Sequence, residues 1–148
     1  MAEATGNSED ERILVTGARD WEFRELIEDD LRWLAGHTLT GYPALVITGG
    51  AKGADTMARE IAKEMGLETK VFPAKWEEFG KKAGPIRNQQ MLDEGKPTLV
   101  LAYFKNLEKS KGTKDMVKRA LKVGLPVIAR EARCISEDEL RSRLGVPK

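Results

Sequence analysis

The sequence predicts an α/β fold in three layers, with a mainly parallel sheet of about five strands covered by helices on both faces. Three observations carry that prediction. Short apolar runs rich in β-branched residues recur along the chain, stretches with apolar residues at helical spacing lie between them, and glycines mark most of the changeovers. Strands alternating with helices of about 10–15 residues build a parallel sheet joined by right-handed crossovers.

Arg12 to Thr16 (RILVT) is the first strand, a buried run closed by Gly17. Phe23, Leu26, Ile27, Leu31 and Leu34 then recur at helical spacing, so Trp21 to Ala35 reads as an amphipathic helix with Trp33 packed in it. Gly36 and the Gly41-Tyr42-Pro43 turn end it. Ala44 to Thr48 (ALVIT) repeats the strand signal and closes on Gly49-Gly50. A second stripe of Ala54, Met57, Ala58, Ile61, Ala62 and Met65 is stopped by Gly66.

Thr69 to Phe72 is the third strand, ending at Pro73, and the stretch to Lys82 reads as a loop with one helical turn. Gly84-Pro85 opens the next helix, since Pro fits a first helical position where its missing N–H costs nothing. Thr98 to Tyr103 is the fourth strand. Met116, Val117, Ala120 and Leu121 give another helix that ends at Gly124, and Pro126 to Ala129 is the fifth strand. Ser136 with Glu139 three residues later forms a capping box for a last helix reaching Leu144. Met57, Met65 and Met91 read as core fillers. The whole is a Rossmann-like layered fold.

Composition narrows the functions. The 148 residues carry 25 Lys and Arg against 24 Asp and Glu, with one His and one Cys. His37 and Cys134 together do not supply the ligands of a structural zinc site, and one Cys closes no intramolecular disulfide, so no metal and no cofactor are expected. No apolar run approaches the ~20 residues that span a bilayer. Met1 to Glu11 has four acids and no cation, unlike a secretory signal. Residues 1–11 therefore read as an acidic disordered tail, 12–148 as a single domain, and the expected setting is cytoplasmic. The remaining 20 acids against 25 cations leave the body at a formal +5. That suits a small anion better than duplex DNA, so nucleic acid is an unlikely partner.

In such sheets ligands bind beyond the carboxyl ends of the strands, where helix N-termini favour anions. Four glycine-flanked, cation-bearing segments fall there: Gly17 to Trp21, Gly49 to Asp55, Lys81 to Asn88 and Lys109 to Asp115. Cations at helix starts oppose the helix dipole unless a bound anion reverses the sign. No G-x-x-x-x-G-K-[ST], G-x-G-x-x-G or G-x-S-x-G occurs, which argues against a Walker-type NTPase, an NAD-dependent dehydrogenase and an α/β-hydrolase.

Four motifs in order, Ile13-Leu-Val-Thr-Gly-Ala-Arg19, Val46-Ile-Thr-Gly-Gly-Ala-Lys-Gly-Ala-Asp55, Ala83-Gly-Pro-Ile-Arg-Asn-Gln-Gln-Met91 and Lys111-Gly-Thr-Lys-Asp115, resemble the YspA-type (YpsA-related) branch of the SLOG superfamily. The resemblance covers nearly all of residues 12–130. It implies a Rossmann-like domain that binds a nucleotide or nucleotide-derived signal, and it implies kinship with the Lonely Guy phosphoribohydrolases and the DNA-processing protein DprA. Relatives are often dimeric, which leaves a homodimer open. Lonely Guy enzymes carry P-G-G-x-G-T-x-x-E; aligned on Gly112-Thr113, this chain has Lys109 and Ser110 at the leading glycines and Met116 at the glutamate. Met neither steadies an oxocarbenium ion nor moves a proton.

The expected function is nucleotide binding by a sensor or sequestering protein. The alternative is a nucleoside 5′-monophosphate N-glycosidase using Arg87 with Asp115 or Asp55, and single-strand DNA binding stands third. Arg87 and Asn88 would clamp a phosphate. Ser110, Gly112 and Thr113 would hold its oxygens, unless Ser110 and Thr113 only cap the helix. Gly17, Arg19, Gly49, Gly50, Lys52 and Gly53 would bring backbone and charge to the ligand, unless the glycines only turn the chain. Asp55 and Asp115 either bind a hydroxyl or act as a base, or simply complement helix dipoles. Trp21 and Trp76 would stack on a base, unless they anchor their loops in the core.

Overall fold

The computed structural model describes residues 11–36, 45–131 and 134–147. The tail to residue 10, His37, the Gly41-Tyr42-Pro43 turn and the Ala44 strand start lie outside them. The strands are β1 (Arg12–Gly17), β2 (Leu45–Thr48), β3 (Glu68–Val71), β4 (Leu99–Tyr103), β5 (Val127–Arg130) and β6 (Cys134–Ile135). The helices are α1 (Arg24–Gly36), α2 (Ala54–Glu64), α3 (Trp76–Phe79), α4 (Ala83–Gly95), α5 (Lys111–Lys122) and α6 (Glu137–Leu144).

One sheet runs in the order β3-β2-β1-β4-β5-β6. The first five strands are parallel, with Ile13 opposite Val46 on one side and Leu99 on the other. The sequence missed β6, which pairs antiparallel through Ala129 with Ile135 and Arg130 with Cys134. Two residues bear no periodicity to read.

Alternation along β1 divides the core. Ile13 and Val15 join Val46, Leu99, Leu101 and Tyr103 against α1 and α2, while Leu14 joins Ile47, Val100, Ala102 and Ala129 against the other layer. In that second layer α4 packs on α5 and α5 on α6. Because β1, β2 and β4 are covered on both faces, they read as continuous apolar runs. At the edge, β3 is largely exposed, and its charged Glu68 and Lys70 suit an unpaired strand.

Several boundaries differ from the sequence reading. The first helix starts at Arg24, because Trp21 turns inward ahead of it: its Nε1 donates to the Phe23 carbonyl at 3.1 Å and its ring packs on Phe23 and Tyr103. Trp33 is 60% exposed, so it does not pack that helix on the sheet; Ile27 and Leu31 do. Pro85 is the third residue of α4 rather than its first, still within the turn whose N–H groups lack helical partners. Met91 is buried, whereas Met57 and Met65 are half-buried at the rim of the core. Ser136 caps α6 as expected, its Oγ accepting from the Glu139 N–H at 3.1 Å.

Candidate functional site

The strand order reverses between β1 and β4, where crossovers leave the sheet in opposite directions and a crevice opens beyond the carboxyl ends. A cavity of about 850 Å³ occupies that place. Its walls come from the end of β1 and its loop (Thr16 to Asp20), the α2 start (Ala51, Asp55), Trp76 of α3, Lys81, the first turns of α4 (Gly84, Pro85, Arg87, Asn88, Met91), the loop after β4 (Lys105, Asn106) and the α5 start from Lys109 to Thr113 with Asp115. Thus Gly17, Arg19, Asp55, Trp76, Arg87, Asn88, Ser110, Gly112, Thr113 and Asp115, all singled out in the sequence, border one space.

The Gly49–Gly53 loop does something other than expected. Gly50 lies at φ +74 and the Asp55 carboxylate accepts from the N–H groups of Gly49 at 3.0 Å and Ala51 at 3.4 Å. Consecutive N–H groups in such a turn form an anion-binding nest. Here the turn is filled by the chain's own carboxylate, so the Gly49 and Ala51 N–H groups hold Asp55 rather than a phosphate. A Cβ at Gly49 would run into the Arg87 guanidinium, and one at Gly53, at φ +77, into the Ala18 carbonyl. These glycines permit close internal packing. Gly49, Gly50, Lys52 and Gly53 are not among the lining residues.

Asp55 is 5% exposed, and burial pushes its carboxyl up to about 6 against the opposing pull of the Arg87 charge and the two N–H groups. Arg87 is placed by internal acceptors: Nη1 donates to the Gly49 carbonyl at 2.5 Å and the Phe72 carbonyl at 3.3 Å, and Nε to Asn88 Oδ1 at 3.1 Å. No hydrogen bond engages its Nη2 among the described residues. Burial lowers the Arg87 pKa, Asp55 opposes that, and Arg19 adds to it.

Asn88 and Asp115 tie α4 to α5. The Asn88 amide donates to the Gly112 carbonyl at 3.1 Å and to Asp115 Oδ2 at 2.9 Å, and that same oxygen accepts from Arg119 Nε at 2.8 Å. Both border the cavity while committed to this network. Met116 lies fully buried in the core and is not among the residues that border the cavity.

At the α5 start, Ser110 stands in the capping position but its side chain caps nothing. Thr113 is 3% exposed and borders the cavity, and its hydroxyl makes no hydrogen bond among the described residues. The alternative, that these two only cap the helix, therefore fails, and the first N–H groups of α5 are left for an outside acceptor. Trp21, 2% exposed, is a loop anchor in the core and does not line the cavity, so it presents no face to a ligand. Trp76 does, with half its surface exposed.

Lys105 and Asn106 are lining residues that the sequence reading did not select. Their one signal was position directly after a strand. Lys105 pairs with Glu22 at 3.2 Å, and Asn106 accepts from the N–H groups of Glu108 and Lys109, shaping the turn that brings Lys109 to the cavity. Among the described residues, no group of three His, Cys, Asp or Glu is placed to hold a metal ion, and no helix is long and apolar enough to cross a membrane.

A family model described as the YspA, cpYpsA-related SLOG family matches residues 11–79. The chain is 37% identical over 122 residues to the Gene 61 protein of Mycobacterium phage D29, covering 79% of this chain and 94% of that protein. Its structure is similar to that of DNA processing protein A (DprA) from Streptococcus pneumoniae, with TM-score 0.67 and 18% identity over 92% of this chain. It spans 55% of DprA's length. It is also similar to a protein called TM1055, with TM-score 0.56 and 20% identity over 80% of this chain and 72% of that one.

Proposed function

Because the chain belongs to the YspA, cpYpsA-related SLOG family, we propose that it binds a nucleotide or nucleotide-derived ligand in the switch-point cavity, as a sensor or a protein that sequesters the ligand. One observation carries this reading: the α5 start brings uncapped N–H groups and the unpartnered Thr113 hydroxyl to a cavity that Arg87 also borders. Phosphate oxygens answer both the donors and the charge. Trp76 offers an aromatic face for a base in the same cavity.

A second reading, hydrolysis of a nucleoside monophosphate to base and ribose phosphate, draws on Asp55. A carboxyl with a pKa near 6 is suited to proton transfer at neutral pH. Its commitment to the Gly49 and Ala51 N–H groups and the burial of Met116 favour binding over turnover. Single-strand DNA binding, suggested by the name of DprA, finds little support in the +5 body charge and the 6% aromatic content.

Titration calorimetry with a nucleotide panel, run beside chromatography for free base, tests the choice. Saturable binding without released base supports the proposal. Stoichiometric conversion to base and ribose 5-phosphate replaces it with the second reading.

A further inference from the structure

Much of the positive charge around the cavity falls in two places. Lys109 and Lys111 flank the α5 start on one wall, where the acid facing the cavity, Asp115, is already taken up by Arg119 and Asn88. Arg19 and Arg87 lie on the β1 and α4 walls with two acids on the same lining, Asp20 beside Arg19 and Asp55, whose Oδ2 is held by the Gly49 and Ala51 N–H groups. The two guanidinium groups are close enough that Arg19 lowers the Arg87 pKa. No ion pair neutralises Arg19, Lys109 or Lys111 among the described residues. With Lys81 also on the lining, both places turn cations toward one cavity, and the α5 place adds the hydroxyl of Thr113, a residue only 3% exposed, which has no hydrogen-bond partner among the described residues.

The α5 start and the Arg19–Arg87 pair belong to different elements around the cavity. We propose that the ligand carries two or more phosphoryl groups, a nucleoside diphosphate or a compound built on one, with one group at the α5 start and the next toward Arg19 and the Nη2 of Arg87. This rests on the nucleotide-binding reading and specifies its substrate class. The cavity, at about 850 Å³, is near the upper end of usual small-molecule sites and has room for such a compound. Like charges that repel in the empty site become donors to separate anions in the filled one.

The test is titration calorimetry of the full chain at fixed ionic strength with mono-, di- and triphosphates of each common nucleoside, and with inorganic phosphate and pyrophosphate as probes without a base. A diphosphate at least tenfold tighter than the monophosphate of the same nucleoside is expected. Arg19→Ala should erase that difference by weakening the diphosphate more than the monophosphate, whereas Lys111→Ala should weaken both alike. Equal affinities for mono- and diphosphate, or a difference that survives in Arg19→Ala, overturns the proposal while leaving nucleotide binding intact. If pyrophosphate binds more tightly than phosphate but no nucleotide binds, the two-place anion site stands and the nucleotide reading falls.

Discussion

The Asp55 carboxylate accepts the Gly49 N–H at 3.0 Å while the Gly49 carbonyl accepts Arg87 Nη1 at 2.5 Å, so the two peptide groups that flank one glycine are gripped by an acid on one side and a base on the other. The glycine loop, the α2 start and the α4 start are thereby locked together behind the cavity. Loss of either grip leaves a buried polar group unpaired.

Titration of Asp55 should appear in stability. Its folded-state pKa is raised from 3.8 to about 6, so between those values the folded chain holds a proton that the unfolded chain has released. The contribution of this group is greatest below about pH 4 and falls by roughly 3 kcal/mol as pH rises to about 6. Urea unfolding of wild type and Asp55→Asn at a series of pH values isolates it. Wild type should lose stability relative to the variant across that window; a gap that does not change with pH contradicts the assignment.

Gly49 and Arg87 should couple. In Gly49→Ala the new methyl meets the Arg87 guanidinium, an overpacking expected to cost about 1–3 kcal/mol. Arg87→Ala opens that space, so the double variant should be more stable than the sum of the single costs implies, with an interaction of about 0.5–3 kcal/mol. Strict additivity in thermal or denaturant unfolding would mean the contact is not what excludes a side chain there.

Met116→Glu restores the acid found at this position in Lonely Guy enzymes, yet it should not create hydrolysis. Met116 is fully buried in the core, and an unpaired charge there should destabilise the fold by about 3–5 kcal/mol. The checks are the unfolding midpoint and the release of free base. A stable variant that liberates base would show that this position faces the ligand.

The two tryptophans should separate. Trp21→Ala removes a buried ring and should cost about 3–5 kcal/mol of stability. Trp76→Ala, at a half-exposed position, should leave the melting temperature nearly unchanged while weakening nucleotide binding by about tenfold, the loss expected of one stacking contact. Equal affinity in wild type and Trp76→Ala would assign the base to another wall.

The sequence made the parallel strands legible because strands buried on both faces must be apolar throughout, and this holds for β1, β2 and β4. The site was legible as a place for the same reason: strand ends follow from strands, and Arg87, Thr113 and Trp76 all reach the cavity. What each residue touches was not. Glycine at 49, 50 and 53 reports close approach or a left-handed turn without saying what approaches, and here it is Arg87, Val71 and Ala18. Trp21 and Trp76 each follow a strand, and only packing sends the first into the core and leaves the second open. The two-residue β6 is specified by its partner Arg130 and Ala129, not by its own pattern.

Native mass spectrometry of the freshly purified chain, followed by denaturation and chromatography of what it releases, tests the central claim most directly. The account predicts an intact phosphorylated nucleotide or nucleotide derivative bound one to a chain, recovered unchanged, and lost or weakened at least tenfold in Arg87→Ala. A chain that retains nothing, binds no nucleotide at millimolar concentration and behaves identically in Arg87→Ala would contradict it.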